Sequence, residues 1–148
     1  MTLYAKLTKY AAYQDRCSWD VEKKMKEWKV SVGTQKKLLE QLKSDGFLDD
    51  RRFAASFVRG KFRVNKWGRI RISFELRGRK LSTAIISEAL LEIDEEEYLE
   101  TIRTLIARKS GEINPEKTLN KREKIINFVV GKGFETDLVL RMIREIKI

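Results

Sequence analysis

Between Val58 and Leu81 the chain reads VRGKFRVNKWGRIRISFELRGRKL, with nine Lys or Arg and a single acid, Glu75. Arg59, Lys61, Arg63, Lys66, Arg69, Arg71, Arg77, Arg79 and Lys80 are cations able to meet phosphates or carboxylates. Among them sit Phe62, Val64, Trp67, Ile70, Ile72, Phe74 and Leu76, an apolar set sufficient to pack. One reading is a solvated helical face whose basic stems cover apolar surface. Nine like charges with almost no acid nearby in sequence repel one another, however, and favour contact with a polyanion. Not all can point one way, since residues 69 and 71 of a helix lie about 200° apart. Trp67 could stack on an unpaired base. It could equally pack at the start of its helix, as large aromatics mostly do, and Trp19 and Trp28 read the same way.

Other chemistry finds little support. Histidine is absent, so Ser-His and Cys-His couples and the usual zinc sites are excluded. No glycine-rich phosphate loop is present. The run Asp94 to Glu97 could hold a metal, but a predicted helix start explains it more simply, because carboxylates there meet the positive end of the helix dipole. It could also lie against the basic block and quench part of it. Cys17 is the single cysteine. It reads as a small, partly buried residue in a reducing compartment.

The net charge of +10 is uneven. Residues 51–80 carry 11 basic groups and 1 acid, while 81–100 carry 7 acids and no base. The middle block therefore holds as much excess as the whole chain. No apolar run approaches the roughly 20 residues of a membrane span. The N-terminal stretch lacks the apolar core of a signal peptide, so a cytoplasmic location is expected.

Three stretches align at spacings of 51 and 53 residues: MKEWKVSVGTQKKLL from Met25, LRGRKLSTAIISEAL from Leu76 and VVGKGFETDLVLRMI from Val129. Each opens on two apolar residues five positions apart, Met25/Val30, Leu76/Leu81 and Val129/Phe134. The first copy departs at Thr34 and Gln35, where the others are apolar. Each unit reads as helix, turn, helix, preceded by a further helix near 3–15, 50–65 or 95–109. Gly78 and Gly131 are expected to end helices in a left-handed conformation. Ser18, Ser82 and Thr136 are expected as N-caps, and Asn114-Pro115 as a helix start. Ile70, Ile72, Phe74 and Leu76 alternate like a strand but also form i, i+4 pairs. Their repeat counterparts do not alternate, so a helix is expected, after a turn at 66–68. The fold class is all-α: three tandem three-helix, helix-turn-helix-like repeats over 1–48, 49–93 and 94–148, forming an elongated curved array.

The ordered set Gly46-Phe47-Leu48-Asp49-Asp50, Arg52-Phe53-Ala54, Phe57-Val58, Gly68-Arg69-Ile70, Ile72, Glu75-Leu76 and Gly131-Lys132-Gly133-Phe134 resembles the RecX family, bacterial regulators of the RecA recombinase. FRVNKWGRIRI with IDEEEYLE resembles its Bacteroidetes branch. The resemblance implies three tandem three-helix units and no enzymatic activity or cofactor. It also implies binding in the groove of the RecA filament on single-stranded DNA, with inhibition of ATP hydrolysis and strand exchange. Asp49 and Asp50 read as helix caps, and as a family signature they could instead touch RecA.

The expected function is thus a monomeric, non-enzymatic regulator of the RecA–single-stranded DNA filament, acting in recombination, DNA repair and the SOS response. The rival is a non-specific DNA-binding helical module that grips phosphates without RecA. A nuclease has no supporting cluster of acids in a cleft.

Overall fold

The computed structural model describes residues 1–116 and 119–147. Among them are nine helices and no strand: α1 (Leu3–Tyr13), α2 (Ser18–Glu27), α3 (Val32–Ser44), α4 (Asp50–Arg63), α5 (Arg69–Gly78), α6 (Thr83–Leu90), α7 (Glu95–Glu112), α8 (Lys121–Gly131) and α9 (Thr136–Ile146). The all-α class follows directly. The alternating segment is α5, a helix, and its turn falls where the repeat comparison puts it.

Helix ends explain the apolar pairs. Lys29, Lys80 and Gly133 all have positive φ, and they occupy one repeat position. Val30 N–H donates to Met25 O at 3.0 Å and Leu81 N–H to Leu76 O at 3.4 Å. This six-to-one bond closes the helix C-terminus, and the apolar residues at its two ends pack across it. Two of the pairs five apart, Met25/Val30 and Leu76/Leu81, are therefore the ends of helix caps, and Val129/Phe134 flank the matching left-handed residue, Gly133. Gly78 and Gly131 are the last residues of α5 and α8, and neither has positive φ. The left-handed residue lies two positions further on.

Helix starts need similar correction. Ser82 Oγ accepts from Ile85 N–H at 3.2 Å, as expected. Thr136 opens α9, and Glu135 stands at the cap position without a capping bond. Cys17, not Ser18, precedes α2, and Asp20 accepts from the Cys17 N–H at 2.9 Å. Cys17 is fully buried, and that burial pushes its thiol up to about 12. Asn114-Pro115 starts no helix; Asn114 Oδ1 accepts from Glu116 N–H at 2.9 Å in a tight turn between α7 and α8. Gln35 fills the buried position that Ile86 and Val139 occupy in the other copies, and its amide donates to Val30 O at 2.8 Å. That bond offsets the cost of a polar group in the core.

The chain divides into two compact units, residues 1–56 with 76–89 and residues 57–75 with 90–148. In the first, Leu7, Val21, Met25, Leu42 and Leu48 form the core, with Tyr4, Tyr10 and Leu38 packed against it. In the second, α7, α8 and α9 pack on one another. Their buried face includes Tyr98, Ile102, Ile106, Ile125, Val129, Phe134, Val139 and Met142. Phe62 and Phe134 flank Tyr98 with ring centroids 5.6 and 5.1 Å away.

Within the second unit the α4–α5 turn meets the α8–α9 turn backbone to backbone. Gly68 N–H donates to Lys132 O at 2.9 Å and Ile70 N–H to Gly133 O at 3.0 Å. A Cβ on Gly68 would stand 2.3 Å from Gly133 C, and one on Gly133 would stand 2.4 Å from Arg71 Cβ. Arg69 seals the crossing. Its guanidinium lies 4.0 Å over the Tyr98 ring and reaches Glu95 at 2.9 Å and Glu135 at 2.8 Å. The Tyr98 hydroxyl accepts from Arg69 N–H at 3.0 Å and donates to Glu135. Burial first, and then the bond to Glu135, raise the Tyr98 pKa. Burial would lower the Arg69 pKa, but Glu95 and Glu135 outweigh it and raise the value.

Gly68→Ala should lower stability by about 2 kcal/mol or more through forced overlap. Gly60→Ala, in a helix with open space at the Cβ, should raise it by roughly 0.5–1 kcal/mol. Urea midpoints check both, and an equal effect at the two sites would refute the close approach. Tyr98→Phe should cost about 1–3 kcal/mol by leaving buried partners unpaired. Because the folded pKa of Tyr98 lies above its unfolded value, its contribution is complete below about pH 10 and declines above it. The gap between wild type and Tyr98→Phe should therefore narrow at alkaline pH, as read from urea midpoints at pH 7 and 10.5.

Candidate functional site

The basic block starts on α4. Phe53, Ala54, Val58 and Phe62 form the buried stripe of that helix, which turns Arg59, Arg63 and Lys61 toward its outer side. Its last turn is basic, favourable against the negative end of the helix dipole. The chain then turns at Lys66, with φ 58°, and enters α5.

The charges do have a counterweight. Arg59 pairs with Glu92 at 3.0 Å, Arg63 with Glu97 at 3.4 Å and Arg69 with Glu95 and Glu135. Six basic residues between 57 and 75 are matched by Glu75 and by five carboxylates between 92 and 97. The acidic run thus has two structural roles. Asp94 caps α7 by accepting from Glu97 N–H at 2.9 Å, and its neighbours quench the block. Quenching by this run was expected from the sequence, but the individual pairs were not readable, because the acids lie some twenty to forty residues downstream of their partners. The exposed pairs contribute little stability, about 0–1 kcal/mol each. Their effect is to reduce the field available to a partner.

Arg69 faces inward and Arg71 outward, as their helical separation requires. Arg71 is exposed and lies 3.9 Å over the Trp67 ring, while the Lys61 ammonium is 4.9 Å from the same ring and 5.5 Å from Phe57. Trp67 is half-buried and serves these cations. Lys66 is exposed beside a groove of about 290 Å3 lined also by Glu97, Glu100, Thr104 and Arg108.

The apolar residues of the segment do not all enter the core. Phe62, Ile72 and Leu76 are buried, but Val64, Ile70 and Phe74 are 80%, 53% and 67% exposed. Ile70 and Phe74 are four apart, so they form one ridge on α5, next in sequence to Arg71. Neither periodicity nor charge singled out this ridge. Its signal was the alternation that made α5 look like a strand, which reflects apolar residues on two faces of a helix. Trp28 is likewise not packed away; it is 40% exposed after α2.

The remaining candidates belong to the first unit. Arg77 and Lys80 are exposed on α5 and in its cap, and Arg79 is half-buried with its guanidinium 5.8 Å over Phe53. Asp49 Oδ1 accepts from Arg52 N–H at 3.1 Å and caps α4. Asp50 Oδ1 accepts from Ser18 N–H at 2.7 Å, tying α4 to the start of α2. Both aspartates therefore have local structural work.

Comparison with known proteins places this arrangement. Residues 49–90 match the family model described as RecX, second three-helix domain. Curated relatives named Regulatory protein RecX include that of Bacillus cytotoxicus, 25% identical over 144 residues, and that of Bacillus thuringiensis, 24% identical over the same length. Each alignment covers 97% of this chain and 53% of the relative, so the chain spans about half the length of the curated relatives it matches. A crystal structure of a regulatory protein RecX superposes with TM-score 0.84 at 25% identity, over 94% of this chain and 70% of that one. The structure of RecX from Lactobacillus salivarius gives TM-score 0.85 at 22% identity, over 97% and 94%, and shows the shared fold. The chain is thus similar to RecX regulatory proteins across nearly its whole length, and its residues 49–90 match the second three-helix domain of RecX.

Proposed function

We propose that this chain is a non-enzymatic regulator that binds the RecA filament on single-stranded DNA and inhibits RecA ATP hydrolysis and strand exchange. It would thereby restrain recombination, DNA repair and the SOS response in the cytoplasm. The observation that carries the reading is the exposed Ile70–Phe74 ridge beside Arg71. Apolar residues bordered by cations suit a protein surface with acidic edges better than bare phosphate, which offers nothing to an apolar ridge. Similarity to RecX regulatory proteins suggests RecA as that protein surface. No helix among the described residues is long and apolar enough to cross a membrane.

In this mechanism the ridge seats on protein while Arg71 and Lys66 meet acidic side chains or DNA phosphates, and Arg77, Arg79 and Lys80 of the first unit are separate candidates for contact of the same kind. Contact with neighbouring protomers would hinder the movements that accompany ATP hydrolysis and block the path of a second DNA. Asp49 and Asp50 could add contacts through the oxygens their caps leave free. The rival, a plain phosphate-gripping module acting without RecA, loses force from the pairing of Arg59, Arg63 and Arg69. Three of the nine cations it would use already hold carboxylates.

The decisive measurement is ATP hydrolysis by cognate RecA on single-stranded DNA, titrated with this protein below stoichiometry. Inhibition is expected, and its absence would sink the reading. The double variant Phe74→Asp/Arg71→Glu should raise the half-inhibitory concentration roughly tenfold or more with little change in the urea midpoint, since both residues are exposed. Retained inhibition by that folded variant would move the site elsewhere.

A further inference from the structure

The first unit carries a second surface of distinct chemistry. On α1, Lys6, Lys9, Tyr10 and Tyr13 stand at i, i+3, i+4 and i+7, so they share one face. Leu7 and Ala11 are buried behind them. With Arg16 and Trp28 they line an open cleft of about 390 Å3. Among the described residues, three cationic side chains and three aromatic rings line it beside Met1, and no carboxylate does. This contrasts with the basic block, whose charges the acidic run offsets.

The components are not interchangeable. The Arg16 guanidinium lies 4.0 Å over the Tyr10 ring and its Nε donates to Tyr10 O at 3.4 Å. The Lys24 ammonium is 5.2 Å from the same ring. Tyr10 is thus the held floor of the cleft. Tyr13 and Trp28 are 83% and 40% exposed, and Lys6 and Lys9 are exposed beside them. Leaving large rings in water is unfavourable, and rings flanked by cations with no carboxylate in the cleft among the described residues match a ligand with both π-faces and negative charge. Single-stranded nucleic acid has this pairing in every residue: a base to stack and a phosphate to neutralise. A duplex keeps its base faces within its own stack. An acidic peptide would meet the cations but offer the rings nothing.

We propose that this cleft is a binding site for single-stranded nucleic acid, with Tyr13 and Trp28 stacking on bases and Lys6, Lys9 and Arg16 meeting phosphates. The site lies on the first unit and does not depend on the filament reading.

The test is fluorescence anisotropy of a labelled oligothymidine with the full chain alone. Binding is expected, with Tyr13→Ala and Trp28→Ala each weakening it roughly tenfold. Lys6→Gln/Lys9→Gln should lower the slope of log affinity against log salt by about 1.4, at roughly 0.7 per phosphate contact. An abasic oligonucleotide of equal length should bind more weakly than the oligothymidine. No binding, equal affinity for the abasic strand, or equal competition by polyglutamate would each overturn the proposal. So would a loss of binding that follows Phe74→Asp/Arg71→Glu and not the cleft variants. That variant also separates the two readings. Lost filament inhibition with intact oligonucleotide binding places the filament contact on α5 and leaves the cleft as assigned.

Discussion

The second unit depends on one steric constraint: two backbones touch at Gly68 and Gly133, and no side chain fits between them. The hydrogen bonds across that contact fix where α5 begins and how it is rotated. Rotation decides which residues of an apolar and basic helix face inward. Ile72 enters the core, Arg69 folds onto Tyr98, and Ile70, Arg71 and Phe74 stay in water. A turn of α5 by one residue would bury a cation and expose a core residue. The exposed face is therefore a consequence of two buried glycines.

Electrostatics refine that placement. The charge of the basic block is partly balanced within the second unit, through pairs of Arg59, Arg63 and Arg69 that span tens of residues. Surface pairs of this kind add little to stability, but they set what an approaching polyanion encounters. What remains unbalanced on α5 is a smaller, partly apolar surface, suited to a selective contact. The N-terminal cleft takes the opposite course, with cations and rings left open and no acids to temper them.

Much of the fold was legible in the sequence. The three apolar pairs gave the repeat because each flanks a left-handed residue that ends a helix, a local device that needs only six residues. Helix order and type followed from periodicity, and the resemblance to RecX proteins from a series of short motifs in the right order. What escaped was whatever depends on residues distant along the chain. The partners of Arg59, Arg63 and Arg69 could not be read from spacing. The left-handed cap position was misplaced onto Gly78 and Gly131 because glycine is the usual signal, whereas two of the three caps use lysine. Gln35 looked like a defect of the first repeat until its amide was seen to serve the preceding turn. The exposed ridge on α5 was hidden by the assumption that a large apolar residue in a helix must be inside.

The lysines at positive φ bear on how the chain meets proteases. Lys29, Lys66 and Lys80 are all exposed and lie between helices, where a trypsin-like enzyme would look first. Each is held in a tight, hydrogen-bonded turn, while a protease cleft takes its substrate extended. Cleavage at these lysines therefore requires the cap to open. The rate of nicking becomes a local clock for fraying at each helix end, governed by the free energy of opening that cap and not by surface accessibility.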